Sequence, residues 1–409
     1  MGDALPVSPL APKGGFPDLP IVPGVRFATI AAGVKYTGRV DVMLAELAPG
    51  TNVAGVFTRS KTRSASVLDC QRKIGQASAD GAAILVNSGN ANAFTGTAGV
   101  EAVKAITQTV ARVVNIPEGR VFTASTGVIG ETLPHDKVTE ALETLAGSLD
   151  EAGIAGAARA IMTTDTFPKG ASRQIQIDGR TVTVAGIAKG SGMIAPDMAT
   201  MLAYVFTDAE ADHAFLQSTL NDLANTTFNR ITVDSDTSTS DTLILAATGA
   251  SETSVTGNAD FTNALHEVMR DLAHQVVRDG EGASKFVTVN ARGALTNDDA
   301  ERVARAIADS PLVKTAIAGE DPNWGRVVMA VGKSGAEADR DRLSISFGEV
   351  LVAKNGQVSP DYVEAEAAAH MTGENVTISV DLGLGEGQAT IWTCDLTAQY
   401  IAINADYRS

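Results

Sequence analysis

A hydroxyl attacks a carbonyl at neutral pH only when a base takes its proton, and Thr200 is where this chain offers a route to one. It follows the stretch KGSGMIAPDMA, Lys189 to Ala199, which is rich in glycine and apolar side chains and carries no catalytic dyad. The base can be the threonine's own α-amine, provided that the Ala199–Thr200 bond is cut and Thr200 becomes an N-terminus. Such an amine has an ordinary pKa of roughly 7.7–8.0, close to working pH, which suits a general base. The small Ala199 leaves Thr200 room to attack the preceding carbonyl, and the glycines can hold strained backbone. The loop would then present a peptide bond to be cut by its own threonine. The same MATML also reads as the start of a buried strand running to Val205, and the residues alone leave both readings open.

No other base stands at a recognisable position. His135, His213, His266, His274 and His370 are scattered, without HExxH or a Cys/His set at metal-ligand spacing, so no metal is expected. A P-loop, a GxGxxG turn after a strand and a GxSxG elbow are all missing from the sequence. DSDTSTSD, 234–241, has the composition of a calcium loop but lacks the glycine and closing glutamate, and is expected to be a solvated polar turn. Cys70 and Cys394 are isolated and read as reduced, buried thiols.

The 409 residues suit two domains or one large two-lobed core. A core of Ala, Val, Ile and Leu is implied by 44% hydrophobic and only 5% aromatic residues. The net charge of −16 argues against nucleic acid and anionic membranes as partners, since no basic cluster could displace counterions. No apolar run approaches the roughly 18 residues of a membrane span. The opening MGDALPVSPLAPKGGFPDLP lacks the pattern of a secretory signal, and Pro6 stands where a myristoylation signal needs Ser or Thr. A loosely ordered leader and a cytoplasmic location are expected.

Positioning a reactive threonine requires a frame, and the hydrophobic pattern supplies one. AAILVN (82–87), TVTVAGIA (181–188), TLILAAT (242–248), KFVTVN (285–290) and VTISVDL (376–382) read as strands. Val103, Ile106, Val110, Val113 and Val114 share a helix face, and so do Leu265, Val268, Met269, Leu272, Val276 and Val277 behind a cap at Asp260 or Thr262. Segments 212–224 and 298–309 also read as helices, and KNG at 354–356 as a hairpin turn. The elements interleave without a regular βαβ beat, which favours an α/β fold of mixed β-sheets sandwiched between helices.

The 189–202 stretch resembles the processing-site signature of the ornithine acetyltransferase (glutamate N-acetyltransferase) family of arginine biosynthesis. AGVFTRS (54–60), NSGNANAFTG (87–96), STGVIGE (125–131), TTDTFPK (163–169), FNRITVDSDTSTSDT (228–242), GEGASKF (280–286), GEDPNWGR (319–326) and AQYIAINADYRS (398–409) extend the likeness along nearly the whole chain. The resemblance implies a precursor that cuts itself between Ala199 and Thr200, into segments 1–199 and 200–409 that assemble as an α2β2 heterotetramer. It implies a two-lobed α/β fold with a topology distinct from true N-terminal-nucleophile hydrolases. Thr200 would carry the acetyl group from N2-acetylornithine to glutamate. The Thr126 hydroxyl and Gly127 N–H would form the oxyanion hole, where two donors aimed at one alkoxide are worth about 3–4 kcal/mol each. Substrate contacts carry over to Thr166, Lys189, Thr200, Glu281, Asn404 and Ser409. By charge, Lys189 suits the amino-acid α-carboxylate, and Glu281 or the Ser409 terminal carboxylate suits the ornithine δ-amine. No cofactor is implied, and acetyl-CoA remains open as a second acetyl donor. Two alternatives stay in view: a self-processed N-terminal-threonine amidase or aminopeptidase, and a non-catalytic amino-acid-binding protein that never cleaves.

Overall fold

The computed structural model describes residues 6–76, 78–195 and 201–405. The chain divides into two units. The larger, Lys13–Asn229 with Asp236–Val276, carries β1 (Val25–Ile30), β2 (Val42–Leu47), β3 (Asn52–Phe57), α1 (Ala65–Lys73), β4 (Ala82–Asn90), α2 (Gly96–Val113), β5 (Val121–Val128), α3 (His135–Ala146) and α4 (Ile154–Ala160). It continues with β6 (Lys169–Ile177), β7 (Arg180–Lys189), β8 (Leu202–Thr207), α5 (His213–Thr226), β9 (Thr242–Ala247) and most of α6 (Ala259–Arg278).

Two mixed sheets form this unit, ordered β1-β2-β4-β5 and β3-β9-β8-β7-β6. Strand β5 runs parallel to β4, β8 runs parallel to β9, and the remaining pairs are antiparallel. Strict alternation sorts β8: Leu202, Tyr204 and Phe206 join a core shared with Phe27, Met43, Ile84 and Phe122 of the other sheet. The edge-to-face pair Phe27–Phe206, with centroids 5.2 Å apart, lies in that shared core. The opposite face of the first sheet packs on α2 and α3 through Leu44, Leu85, Ile106, Val110 and Leu142. On the second sheet α6 presses Leu272 so close to Gly186 that a Cβ there would lie 3.0 Å from it. With both faces covered, the inner strands read as continuous apolar runs, which is why 82–87, 181–188 and 242–248 were recognisable as strands.

The smaller unit, residues to Pro12 with Arg230–Ser235 and everything from Val277, contains β10 (Phe286–Ala294), α7 (Asn297–Ala308), α8 (Pro311–Ala318), α9 (Trp324–Gly332), β11 (Ser344–Phe347) and β12 (Val350–Lys354). It ends with β13 (Gln357–Val358), α10 (Glu364–Met371), β14 (Asn375–Asp381), β15 (Gly387–Cys394) and α11 (Ala398–Ala405). Its mixed sheet runs β13-β12-β11-β14-β10-β15, over a core that includes Val289, Val303, Ile307, Ile378 and Ile391. The KNG hairpin is present, with Asn355 and Gly356 at φ 49° and 75° as a tight two-residue turn requires. One expectation fails: α6 starts at Ala259, ahead of both expected caps, and Asn258 Oδ1 accepts the Phe261 N–H at 2.9 Å instead.

One consequence of register bears on the site. Lys189 pairs with Leu202 across the β7–β8 ladder, so the intervening loop leaves and re-enters the sheet at one point. Segment 1–199 supplies β3, β6 and β7 of that sheet, and segment 200–409 supplies β8 and β9. A cut before Thr200 would leave both pieces hydrogen-bonded in one sheet.

Candidate active site

The end of β5 is fixed by buried polar groups from β4. Asn87 Oδ1 accepts the Ser125 hydroxyl at 2.7 Å, its Nδ2 donates to Asn90 O at 2.9 Å, and the Ser66 and Ser125 hydroxyls meet at 3.1 Å. Next in the chain, Gly127 sits at φ 133°, and a Cβ there would come within 2.2 Å of the Gly89 carbonyl carbon. Only glycine permits that approach. Its neighbour Thr126 is half-buried, so its hydroxyl is held by rigid strands yet not sealed in the core.

Strand β7 delivers Lys189 to the same place. The Lys189 ammonium donates to Thr126 Oγ1 at 3.2 Å, joining residues 63 positions apart on two different sheets. As the acceptor in this bond, the Thr126 hydroxyl keeps its own hydrogen to donate to a further acceptor. Behind Lys189 lies Asp165. Its Oδ1 accepts Lys169 Nζ and Gly190 N–H, each at 2.7 Å, and its Oδ2 accepts Thr163 N–H at 2.9 Å. Burial opposes charge on Asp165, but Lys169, Lys189 and these donors outweigh it and hold the carboxyl far below the usual range. Thr166 follows directly and is half-buried.

A second carboxyl faces Lys189 from the start of β9. Asp241 is buried, and burial pushes it well above the usual carboxylate range despite the Ser238 hydroxyl, Lys189 and the Met201 N–H. The polar stretch 234–241 is therefore only partly the solvated turn its composition suggests. Thr239, Ser240 and Asp241 are buried, Ser64 N–H donates to Thr239 O at 2.8 Å, and the Thr237 hydroxyl reaches Ala195 O at 3.1 Å. Composition reported polarity, while the surrounding strands decided burial.

In the smaller unit Glu281 and Asn404 come together: Asn404 Nδ2 donates to Glu281 Oε2 at 2.7 Å. Glu281 is buried and Asn404 exposed. Ala199, Thr200 and Ser409 lie outside the described residues. Sequence reasoning missed Asp165, Lys169 and Asp241 as contributors, although TTDTFPK and DSDTSTSDT contain them. An acid immediately before an apolar strand, as Asp241 is before TLILAAT, was the available signal. Among the described residues no cluster of His, Cys, Asp or Glu could hold a metal ion, and no helix is long and apolar enough to cross a membrane. Both thiols are buried and unreactive: burial raises Cys70 to about 12 and Cys394 to about 11.

A family profile described as the ArgJ family matches residues 26–409. A protein of Ruegeria pomeroyi named arginine biosynthesis bifunctional protein ArgJ is 65% identical over 403 residues, covering 98% of each chain. A protein of the same name from Agrobacterium fabrum is 55% identical over 412 residues, 98% of this chain and 99% of that one. A crystal structure of a Bacillus halodurans protein, also named arginine biosynthesis bifunctional protein, is 44% identical and covers 50% of this chain and 99% of its own, with a TM-score of 0.49.

Proposed function

This chain belongs to the ArgJ family, and we propose that it moves the acetyl group of N2-acetyl-L-ornithine to L-glutamate through an acetyl ester on Thr200. Self-cleavage between Ala199 and Thr200 first frees the amine that serves as base. The Thr200 hydroxyl then adds to the acetyl carbonyl, the amine takes its proton, and the oxyanion is met by the Thr126 hydroxyl and the Gly127 N–H. Ornithine leaves with that proton and glutamate enters; its neutral amine attacks the ester carbonyl, the bond to the Thr200 oxygen breaks, and the proton lost by the glutamate amine passes through the Thr200 amine to restore the Thr200 hydroxyl.

The Lys189–Thr126 contact carries this reading. It puts a cation able to bind an α-carboxylate beside a hydroxyl able to stabilise an oxyanion, at the strand end that leads into the processing loop. Thr166 lies on the segment that holds Asp165 near Lys189. Glu281, supported by Asn404, receives the ornithine δ-ammonium, and the Ser409 carboxylate is a second acceptor for it. The relatives' description as bifunctional supports a further activity, for which we assign acetylation of glutamate by acetyl-CoA. The segments 1–199 and 200–409 pair as an α2β2 assembly in the cytoplasm, and the transfer needs no metal or cofactor.

The test offers the purified protein glutamate with either N-acetylornithine or acetyl-CoA and measures N-acetylglutamate. Product from the first donor is expected. Free acetate without N-acetylglutamate would instead identify a hydrolase.

A further inference from the structure

Glu281 lies between α6 and β10, on a stretch of chain that is neither helix nor strand, with Gly280 and Gly282 on either side. Flanking glycines leave such a backbone free to take many paths, so its place has to be fixed from outside. One short segment does this. The buried Asp395, directly after β15, accepts the Ser284 N–H at 2.8 Å and the Lys285 N–H at 3.0 Å on Oδ1. Its Oδ2 accepts the Ser284 hydroxyl at 2.5 Å. Two residues on, the Thr397 hydroxyl donates to Gly282 O at 2.8 Å. Gly282, at φ 74°, lies so close to α11 that a Cβ there would come within 2.7 Å of the Tyr400 nitrogen. A Cβ on Gly280 would come within 2.9 Å of Cys394 Sγ. The same α11 carries Asn404, which donates to Glu281 Oε2 at 2.7 Å. All of these residues belong to the smaller unit.

We propose that Asp395 is a positioning residue. By holding Ser284 and Lys285 it sets the Glu281 carboxyl where a substrate's distal ammonium is received, and so makes the enzyme distinguish a cationic side chain from a neutral one. The inference rests on the assignment of Glu281 to the ornithine δ-ammonium made above. Asp395 is 2% exposed and both its oxygens are engaged by the loop, so it acts through Glu281 and not on substrate. A misplacement of about 1 Å in a group that orients substrate costs on the order of 10²-fold. The Glu281 carboxyl sits three and four residues from the two that Asp395 holds, with glycines between and beyond to transmit any slack. Asparagine at 395 would keep an oxygen for both backbone N–H groups and could turn its amide toward the Ser284 hydroxyl oxygen. Alanine would leave all three donors without their acceptor.

The experiment measures N-acetylglutamate formed by the full-length protein from two donors, N2-acetylornithine and N2-acetylnorvaline, which has the same carbon chain without the δ-amine. The quantity read is the ratio of kcat/KM for the first donor to that for the second. Asp395→Ala should raise KM for N-acetylornithine by about 10–10²-fold with kcat little changed. It should leave N-acetylnorvaline close to the wild-type value, so that the ratio collapses. Asp395→Asn should restore most of the ratio. A loss of general structure lowers both donors together, and an Asp395→Ala ratio equal to that of wild type overturns the proposal. Should Asp395→Ala fail to fold, Asp395→Glu keeps the acceptor but displaces the loop by one methylene. A several-fold fall in the ratio is then expected, and an unchanged ratio overturns the proposal. Glu281→Gln tests the underlying assignment by itself: a wild-type ratio in that variant defeats the role of Glu281, independently of any change at Asp395.

Discussion

Asp165 and Asp241 are both buried, and both feel Lys189, yet their carboxyls are shifted in opposite directions from the ordinary range. The segment before β6 surrounds Asp165 with donors: an ammonium at 2.7 Å and two backbone N–H groups. Asp241 has the Ser238 hydroxyl, its own N–H and that of Met201 but no ammonium in contact, and one of its oxygens is left unmet. Burial alone favours the neutral acid, so the number and charge of the donors decide the outcome. The ionised carboxylate fixes Gly190 and, through it, the end of β7 that carries Lys189. Asp241, with the poorer donor set, is the costlier of the two to ionise.

Removing the cation on the Asp165 side should have the largest effect. Lys169→Met leaves a buried carboxylate without its ammonium, and a loss of about 3–5 kcal/mol in urea unfolding is expected. If this variant is as stable as wild type, Asp165 is not held ionised by Lys169. Next in size, Thr126→Ala removes the hydroxyl that Lys189 meets. It should lower kcat about 10²–10³-fold with KM little changed; raised KM with normal kcat would make Thr126 a substrate contact only.

Acidity separates the two carboxyls by sign. A depressed pKa contributes stability above the ordinary carboxylate value near 3.9, and loses it as pH falls through the folded value. The stability gap between wild type and Asp165→Asn should therefore narrow on acidification below about pH 4. For Asp241, raised in the folded state, the penalty is absent below about pH 4 and grows as pH rises toward the elevated value. Asp241→Asn should accordingly gain on wild type over that rise, and pH-dependent denaturation of the two variants should show opposite slopes. The smallest expectation concerns pH near 4 and below, where Asp241 is neutral in both the folded and unfolded chain and Asp241→Asn should change unfolding stability by no more than about 1 kcal/mol. A loss comparable to that of Lys169→Met would erase the distinction.

Much of the frame was legible in the sequence because its cause is local. Strands covered on both faces read as apolar runs, and the Asn355–Gly356 turn follows from the left-handed backbone those residues tolerate. Long-range placement was not legible. Nothing in the spacing of Thr126 and Lys189 announces that two separate sheets bring them within 3.2 Å. Asp165 and Lys169 are four residues apart without a helix between them, so their pairing depends on the turn into β6. Asn258 was passed over as the α6 cap because hydrophobic periodicity locates a helix face better than its first turn. The resemblance supplied expected roles for Thr126, Lys189 and Glu281, while the buried acids around Lys189 needed coordinates.

The central claim, an acetyl group carried on Thr200, meets its most direct test in the mass of the fragment that begins at Thr200. After exposure to N-acetylornithine alone, that fragment should carry one acetyl group on Thr200. Glutamate should remove it as N-acetylglutamate, and water should do so only slowly. An intact 409-residue chain, or a cut fragment that never carries acetyl while N-acetylglutamate still forms, would contradict transfer through Thr200.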